Sequence, residues 1–232
     1  MKRIDIPTWD RRLQWEHFSK IRFPFYHVSF YIDVTPVKAY SKMHGISSYH
    51  TLSYLVCESL NSIENFRYRI HGDEVYLMDQ CHPSMAVLPQ GSSNFRILNS
   101  RMTGDIQSFC EKTAMLLENH TGFIGGEDIP EEECYFLSCL PWIDATCICS
   151  EHDLDTGDST PRVSWGKYVK MSRGNASRTG QILSEIAGQQ ENGSRSGQRL
   201  WINMTVDVNH RLVDGYHIGL FAARLQEAID LL

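Results

Sequence analysis

The chain reads as a single α/β domain, and three observations predict this. Its 232 residues suffice for one large core and are too few for two domains of average size. Stretches that alternate apolar and polar residues interleave with stretches whose apolar residues recur every three or four positions. The clearest pair lies at the end of the chain. In LWINMTVDV, residues 200, 202, 204, 206 and 208 are apolar, and Asn203, Thr205 and Asp207 fall between them, as in a strand with one buried face. Beyond Gly215, residues Ile218, Phe221, Leu225, Ile229 and Leu232 form the stripe of an amphipathic closing helix.

The remaining elements follow in chain order. Residues 10–20 suggest a short helix with Asp10 as its candidate N-cap. Residues 26–34 alternate like a strand, and Thr35-Pro36 opens a second helix, since proline is well placed in a first helical turn. Ser47 or Ser48 caps a helix reaching Leu60, with Leu52, Val56 and Leu60 on one stripe. Residues 66–78 form a hairpin turning at His71-Gly72-Asp73. A strand at 84–88 precedes a helix over 104–119, spaced by Ile106, Phe109, Thr113 and Leu116. Strands are expected near 134–140, 145–149 and 162–170, bounded by Pro141 and Pro161. Residues 171–199 are rich in Gly, Ser, Arg and Gln, with a short helix expected at 182–187, and read as an insertion of about the length reserved for functional or disordered loops.

Composition excludes several classes. A formal charge of −6 argues against a nucleic-acid binder, which needs a basic face. No apolar run reaches the ~18 residues of a membrane span, and MKRIDIPTWDRR lacks the apolar stretch of a signal peptide. The seven cysteines are irregularly spaced and include no CxxC pair, which points to a reduced, cytoplasmic setting. Cys57, Cys110 and Cys139 read as small buried apolar groups, and His17, His44, His71 and His152 as surface or turn residues. Neither hexapeptide periodicity nor any other internal repeat is present.

The segment NHRLVDG joins the last strand to the last helix, a junction from which side chains commonly project into a site. By itself, a histidine followed four residues later by Asp-Gly is a weak signal. For the bare pattern, His210 as a hydrogen-bonded loop residue and Asp214 as a helix cap is the better explanation. In its context, however, VDVNHRLVDGYHIGLFAARLQ resembles the signature of the chloramphenicol acetyltransferases and of the related dihydrolipoamide acyltransferase cores. Further blocks are similar to that family in the same order: WDRRLQWEHF near the start, DVTPVKAY at 33–40, the hairpin ENFRYRIHGDEVYLMDQCHPSMAV, SCLPWI at 138–143 and VSWGKY at 163–168. They cover nearly the whole chain outside 171–199.

The resemblance implies a two-layer α+β sandwich in which helices cover a mixed β-sheet, with 1–232 forming one acyltransferase domain. It implies acetyl transfer from acetyl-coenzyme A to a hydroxyl of chloramphenicol, in a homotrimer whose sites lie between subunits. Position by position, His210 matches the general base. Asp214 matches the aspartate that pairs with an arginine of the N-terminal helix, here Arg11. Ser164 stands for a hydroxyl that supports the tetrahedral intermediate. Lys167 and Tyr168 would line the coenzyme A path, and Phe18, Phe25 and His27 the acceptor pocket. A neutral imidazole, with an ordinary pKa of about 6.5, can take the proton of an attacking hydroxyl, so no metal and no covalent acyl-enzyme are required.

The chain also departs from the family pattern. Cys147 falls where the family carries its oxyanion-stabilising serine, and a one-residue shift would bring Thr146 there instead; a thiol is the poorer donor. His27 stands where an aromatic residue is usual. These departures keep two alternatives open: a same-fold acyltransferase with a different hydroxyl acceptor, and a non-catalytic trimeric homologue. Retention of His210, Asp214 and Arg11 argues against the second. Residues 171–199 read either as a surface loop or as a cover for the site or an intersubunit surface. His217 reads as a helix-surface residue.

Overall fold

The structure is a computed structural model that describes residues 1–154, 157–172 and 198–232. Among the described residues, β1 (Lys2–Arg3), β3 (Tyr68–His71) and β4 (Glu74–Leu77) form a small antiparallel sheet. The larger, mixed sheet contains β2 (Phe25–Asp33), β5 (His82–Val87), β6 (Arg96–Asn99), β7 (Ile124–Gly126), β8 (Cys134–Cys139), β9 (Arg162–Trp165), β10 (Val169–Ser172) and β11 (Gln198–Asn209). Five α-helices accompany them among the described residues: α1 (Arg12–Phe18), α2 (Thr35–His44), α3 (Ser48–Asn61), α4 (Ile106–Glu118) and α5 (Gly215–Asp230). The mixed sheet with helices is the expected class.

Strand β11 is the axis of the large sheet. Along one edge it pairs antiparallel with β2, from Trp201 opposite Asp33 to Asn209 opposite Phe25. Along the other it meets β9, with Thr205 opposite Ser164, and then β10, with Trp201 opposite Val169. Parallel pairing continues from β9 to β8 and from β8 to β5, and β6 and β7 complete the sheet. The even-numbered face of β11, Ile202, Met204, Val206 and Val208, is buried in one core with Leu52, Val56 and Leu60 of α3 and with Ile218, Phe221, Leu225 and Ile229 of α5. Removal of these apolar surfaces from water is the main stabilising contribution.

The odd-numbered face of β11 is buried as well, contrary to the one-sided strand expected from its alternation. Asn203, Thr205, Asp207 and Asn209 are all buried. The segment 141–152, expected to hold a strand at 145–149, runs over this face as an irregular loop. Its backbone donates to side chains instead of to a ladder: Ile148 N to Thr205 Oγ1 at 3.1 Å, and Ser150 N to Asp207 Oδ2 at 3.4 Å. Polar side chains on the sheet thus meet donors that a neighbouring strand would otherwise have used.

Other expectations need smaller corrections. The N-cap of α1 is Arg11, and Asp10 makes no cap. Residues 162–170 are two strands, because at Gly166 and Lys167 the chain leaves β9 and Lys167 N donates to Ile143 O at 2.8 Å. A Cβ on Gly166 would lie 2.8 Å from that same carbonyl, so the close approach requires glycine here. The strands β1, β6 and β7 are absent from the sequence expectations; they are two to four residues long, and β7 is mostly glycine. The edges of the 171–199 segment belong to β10 and β11, and the rest of it, including the helix expected at 182–187, lies outside the described residues.

Phe221 has no exposed surface and lies edge-on to Phe30 and tilted against Phe66. Phe221→Ala is expected to lower unfolding stability by about 3–5 kcal/mol in chemical denaturation. A loss below about 1 kcal/mol would mean that α5 does not seal the core as described.

Candidate active site

At the end of β11 the chain makes a tight turn. Leu212 N and Val213 N both return to Asn209 O, at 3.0 and 3.1 Å, and the Asn209 side chain accepts from the backbone and guanidinium of Arg211. Asp214 then caps α5: its carboxylate accepts from Tyr216 N at 3.2 Å, and the His217 ring accepts from Asp214 N in return. His217 is therefore half-buried, part of a reciprocal cap and not a free surface group.

Arg11 binds this turn from outside. Its side chain, only 7% exposed, spends three donors on it: Nη1 on Asp214 Oδ2 at 2.8 Å, Nη2 on His210 O at 3.1 Å and Nε on Arg211 O at 3.0 Å. Arg211 in turn lies over the Trp15 ring of α1. The planar guanidinium suits this role, since its donors diverge in one plane and reach several acceptors. Burial by itself raises the Asp214 pKa, but the Arg11 hydrogen bond and the charges of His217 and Arg11 outweigh it and hold the carboxyl below the ordinary range.

This clamp fixes the backbone of His210, whose own N–H donates to Pro24 O at 2.7 Å. The ring lies between two aromatic side chains. It stacks on Tyr26 with centroids 4.6 Å apart and planes 15° apart, and meets Phe18 at 4.0 Å. Partial burial, reinforced by the Arg11 charge and opposed by Asp214, lowers the His210 pKa below its ordinary value. The imidazole is therefore neutral at neutral pH, the state in which it accepts a proton.

Ser164, Thr146 and Cys147 lie elsewhere. Ser164 is buried opposite Thr205, five residues before His210 along β11, a separation of about 17 Å at the rise of a strand. Cys147 sits on that same patch of the covered face. The hydroxyl of Ser29, ahead of contributions from Cys149 and Thr205, lowers its thiol pKa, and its Sγ is 3.5 Å from that of Cys149. Ser29 and Thr205 are themselves joined at 2.8 Å. Thr146 is exposed, and among the described residues its side chain makes no hydrogen bond. One chain thus brings His210, Arg11, Asp214 and Phe18 together at one place, and Cys147 and Ser164 at another.

Between the two patches lies a polar cluster that the sequence reading did not identify. Asp207, two residues from Thr205, faces His27 Nδ1 at 3.0 Å and His152 Nε2 at 2.8 Å. His152, expected at the surface, has a side chain only 2% exposed because loop 141–152 carries it inward against β11. Its Nδ1 faces Asp158, which Arg162 holds at 2.6 Å. Burial disfavours the His152 cation, but the bonds to Asp158 and Asp207 outweigh that and raise its pKa. Burial likewise opposes ionisation of Asp158, yet His152 and Arg162 bring it down to about 2. Phe25 stacks on the His152 ring with centroids 3.6 Å apart. Beside Phe25 opens a cleft of about 460 Å³, lined by Ile21, Pro24, Leu154, Asp158 and Arg211 among others. The signal for this cluster is the polar parity of Asn203, Thr205 and Asp207, which in a strand with one buried face falls on the other face.

Lys167 is exposed, and Tyr168 is half-buried with the Lys38 ammonium 4.6 Å from its ring centroid; burial pushes its hydroxyl up to about 12. Cys57 and Cys110 are buried as expected, and Cys139 is half-buried.

Comparison with known proteins gives a consistent result. The family model described as chloramphenicol acetyltransferase matches residues 1–173, ending before the His210 turn. Chloramphenicol acetyltransferase 3 of Escherichia coli is 25% identical over 228 residues, covering 97% of this chain and 95% of that protein. The chloramphenicol acetyltransferase of Staphylococcus aureus is 22% identical over 233 residues, covering 98% and 95%. Among solved structures, a chloramphenicol acetyltransferase superposes with a TM-score of 0.75 at 21% identity over 97% of both chains. The dihydrolipoamide acetyltransferase of Azotobacter vinelandii superposes at 0.66 and 14% identity, over 92% of this chain and 84% of that one.

The clamp makes a stability prediction. Arg11→Met leaves Asp214 without its partner and two carbonyls without donors, and should cost about 2–4 kcal/mol in denaturant unfolding. A variant as stable as the parent would show that Arg11 does not hold the turn.

Proposed function

The chain belongs to the chloramphenicol acetyltransferase family and is an acyltransferase, and on that premise we propose that it moves an acetyl group from acetyl-coenzyme A to a hydroxyl of chloramphenicol, with His210 as general base. The observation that carries this reading is the placement of the His210 ring between Tyr26 and Phe18 on a turn locked by Arg11 and Asp214, where partial burial lowers its pKa. The acceptor hydroxyl gives its proton to the imidazole as its oxygen attacks the thioester carbonyl. The resulting oxyanion is stabilised by donors aimed at it, and losing one such donor typically costs about 10²–10³ in rate. Collapse expels the coenzyme A thiolate, which recovers the proton from the imidazolium. Ser164 and Cys147 are the donors of this reading. Cys147 is preferred to Thr146 because it lies against the Ser29 and Thr205 hydroxyls.

The separation of about 17 Å between His210 and the Ser164 patch within one chain supports sites shared between subunits of a homotrimer. His210 of one subunit then serves the Cys147 and Ser164 patch of the next. Lys167 and Tyr168 line the coenzyme A path, and Phe18, Phe25 and His27 belong to the acceptor side, with the cleft beside Phe25. Among the described residues no helix is long and apolar enough to cross a membrane, and a cytoplasmic setting is part of the proposal.

One observation favours a second reading, the same transfer to a different hydroxyl acceptor. His27, His152 and Asp207 make the wall near Phe25 polar and ionic. The test is coenzyme A thiol release, followed with a thiol reagent, from acetyl-coenzyme A and chloramphenicol. Rapid release that falls by about 10²–10⁴ in His210→Ala supports acceptor and base together. If the parent releases thiol no faster than the variant, chloramphenicol is not the acceptor. Release restored by another hydroxyl compound then establishes the second reading.

A further inference from the structure

Three segments distant in sequence converge on Asp207: β2 brings His27, the loop over the sheet brings His152, and β11 carries Asp207 itself. The ligand-capable atoms of the three residues all lie within 4.8 Å of one another. The Asp207 side chain is 2% exposed, and no lysine or arginine is paired with it among the described residues. A proton on His152 accounts for only part of the arrangement. It satisfies Asp207 Oδ2 and Asp158, but His27 Nδ1 and Asp207 Oδ1 lie 3.0 Å apart and neither makes a hydrogen bond. Two buried polar atoms facing each other without a bond are costly, and a cation between them removes that cost.

We propose that His27, His152 and Asp207 form a binding site for a divalent transition-metal cation of the zinc type, which joins β2, β11 and the loop that carries Cys147 and Cys149. Two imidazoles and a carboxylate are an ordinary zinc donor set, and three protein ligands leave further coordination to water. The surroundings match as well. His152 presents Nε2 to the cluster while Nδ1 faces Asp158 at 3.4 Å, and Arg162 anchors Asp158. Such a carboxylate on the far nitrogen fixes ring orientation and tautomer in metal sites. Zinc with ligands at about 2.0–2.1 Å sets its donor atoms roughly 3.3 Å apart, so loading requires the present N···O separations to open by a few tenths of an ångström. The His27 side chain is partly exposed, while its Nδ1 is buried against Asp207. Acyl transfer by His210 requires no metal, and this site is additional to the chemistry expected from sequence.

The test uses the full chain, purified and stripped with chelator, titrated with Zn²⁺ by calorimetry and with Co²⁺ by its visible absorption. The expected result is one ion per chain, with Zn²⁺ raising the thermal unfolding midpoint. His27→Gln, at a half-buried position, and His152→Gln should abolish stoichiometric binding. Asp158→Asn should weaken it about 10–100-fold through loss of the outer carboxylate. The double variant Cys147→Ser/Cys149→Ser should bind as the parent does. The absence of stoichiometric binding by the parent overturns the proposal and leaves His152 as a protonated bridge between two carboxylates. Binding kept in His27→Gln but lost in the cysteine variant overturns it equally, by placing the metal on the thiols.

Discussion

The site depends on one buried guanidinium. Arg11 and Asp214 are separated by 203 positions, and their bond ties the start of the chain to its end. Closing so long a loop carries an entropic cost that local contacts cannot offset, so the clamp depends on β2 and β11 already being paired. Once formed, it acts on backbone as much as on charge, since two of its three bonds go to carbonyls at His210 and Arg211. This explains how a residue outside the strand is held in one place. His210 lies just beyond β11, where a free loop would let its ring wander. Arg11, the bond to Pro24 O and the stacked Tyr26 ring remove that freedom.

The second constraint is that β11 is covered on both faces. Its apolar face packs against α3 and α5 and defines the core. Its polar face lies beneath a loop, and buried polar groups require partners. Thr205 and Asp207 meet theirs in the backbone of Ile148 and Ser150, which sets the path of the loop and thereby the positions of Cys147 and His152. Oxyanion patch and histidine cluster are therefore two consequences of one covered face. The glycine at 166 belongs to the same arrangement, because it lets β9 approach Ile143 where the loop begins.

Much of this was legible in the sequence. Period-two alternation located β2 and β11, the turn at His71-Gly72-Asp73 located the β3–β4 hairpin, and the three-to-four spacing located α3, α4 and α5. The Ser47 cap bonds as such residues do at helix starts, while the Asp105 cap of α4 was not among the expectations. The pairing of Arg11 with Asp214 came from resemblance, since nothing local links two residues so far apart. What escaped reading was decided by tertiary contact. The expected strand at 145–149 became a loop once side chains of β11 took its N–H groups. His152 looked like a turn residue because its partners, Asp158 and Asp207, include one 55 positions away. The short β6 and β7 carry too few residues to show a period.

The clamp presents His210 as a neutral base. The most direct measurement is an NMR titration of the His210 ring, assigned by comparison with His210→Ala. A midpoint below about 6.5 is expected, because partial burial and the Arg11 charge disfavour the imidazolium more than Asp214 favours it. A midpoint well above that value would mean a cation at neutral pH, unable to take a proton from a hydroxyl, and would contradict the account.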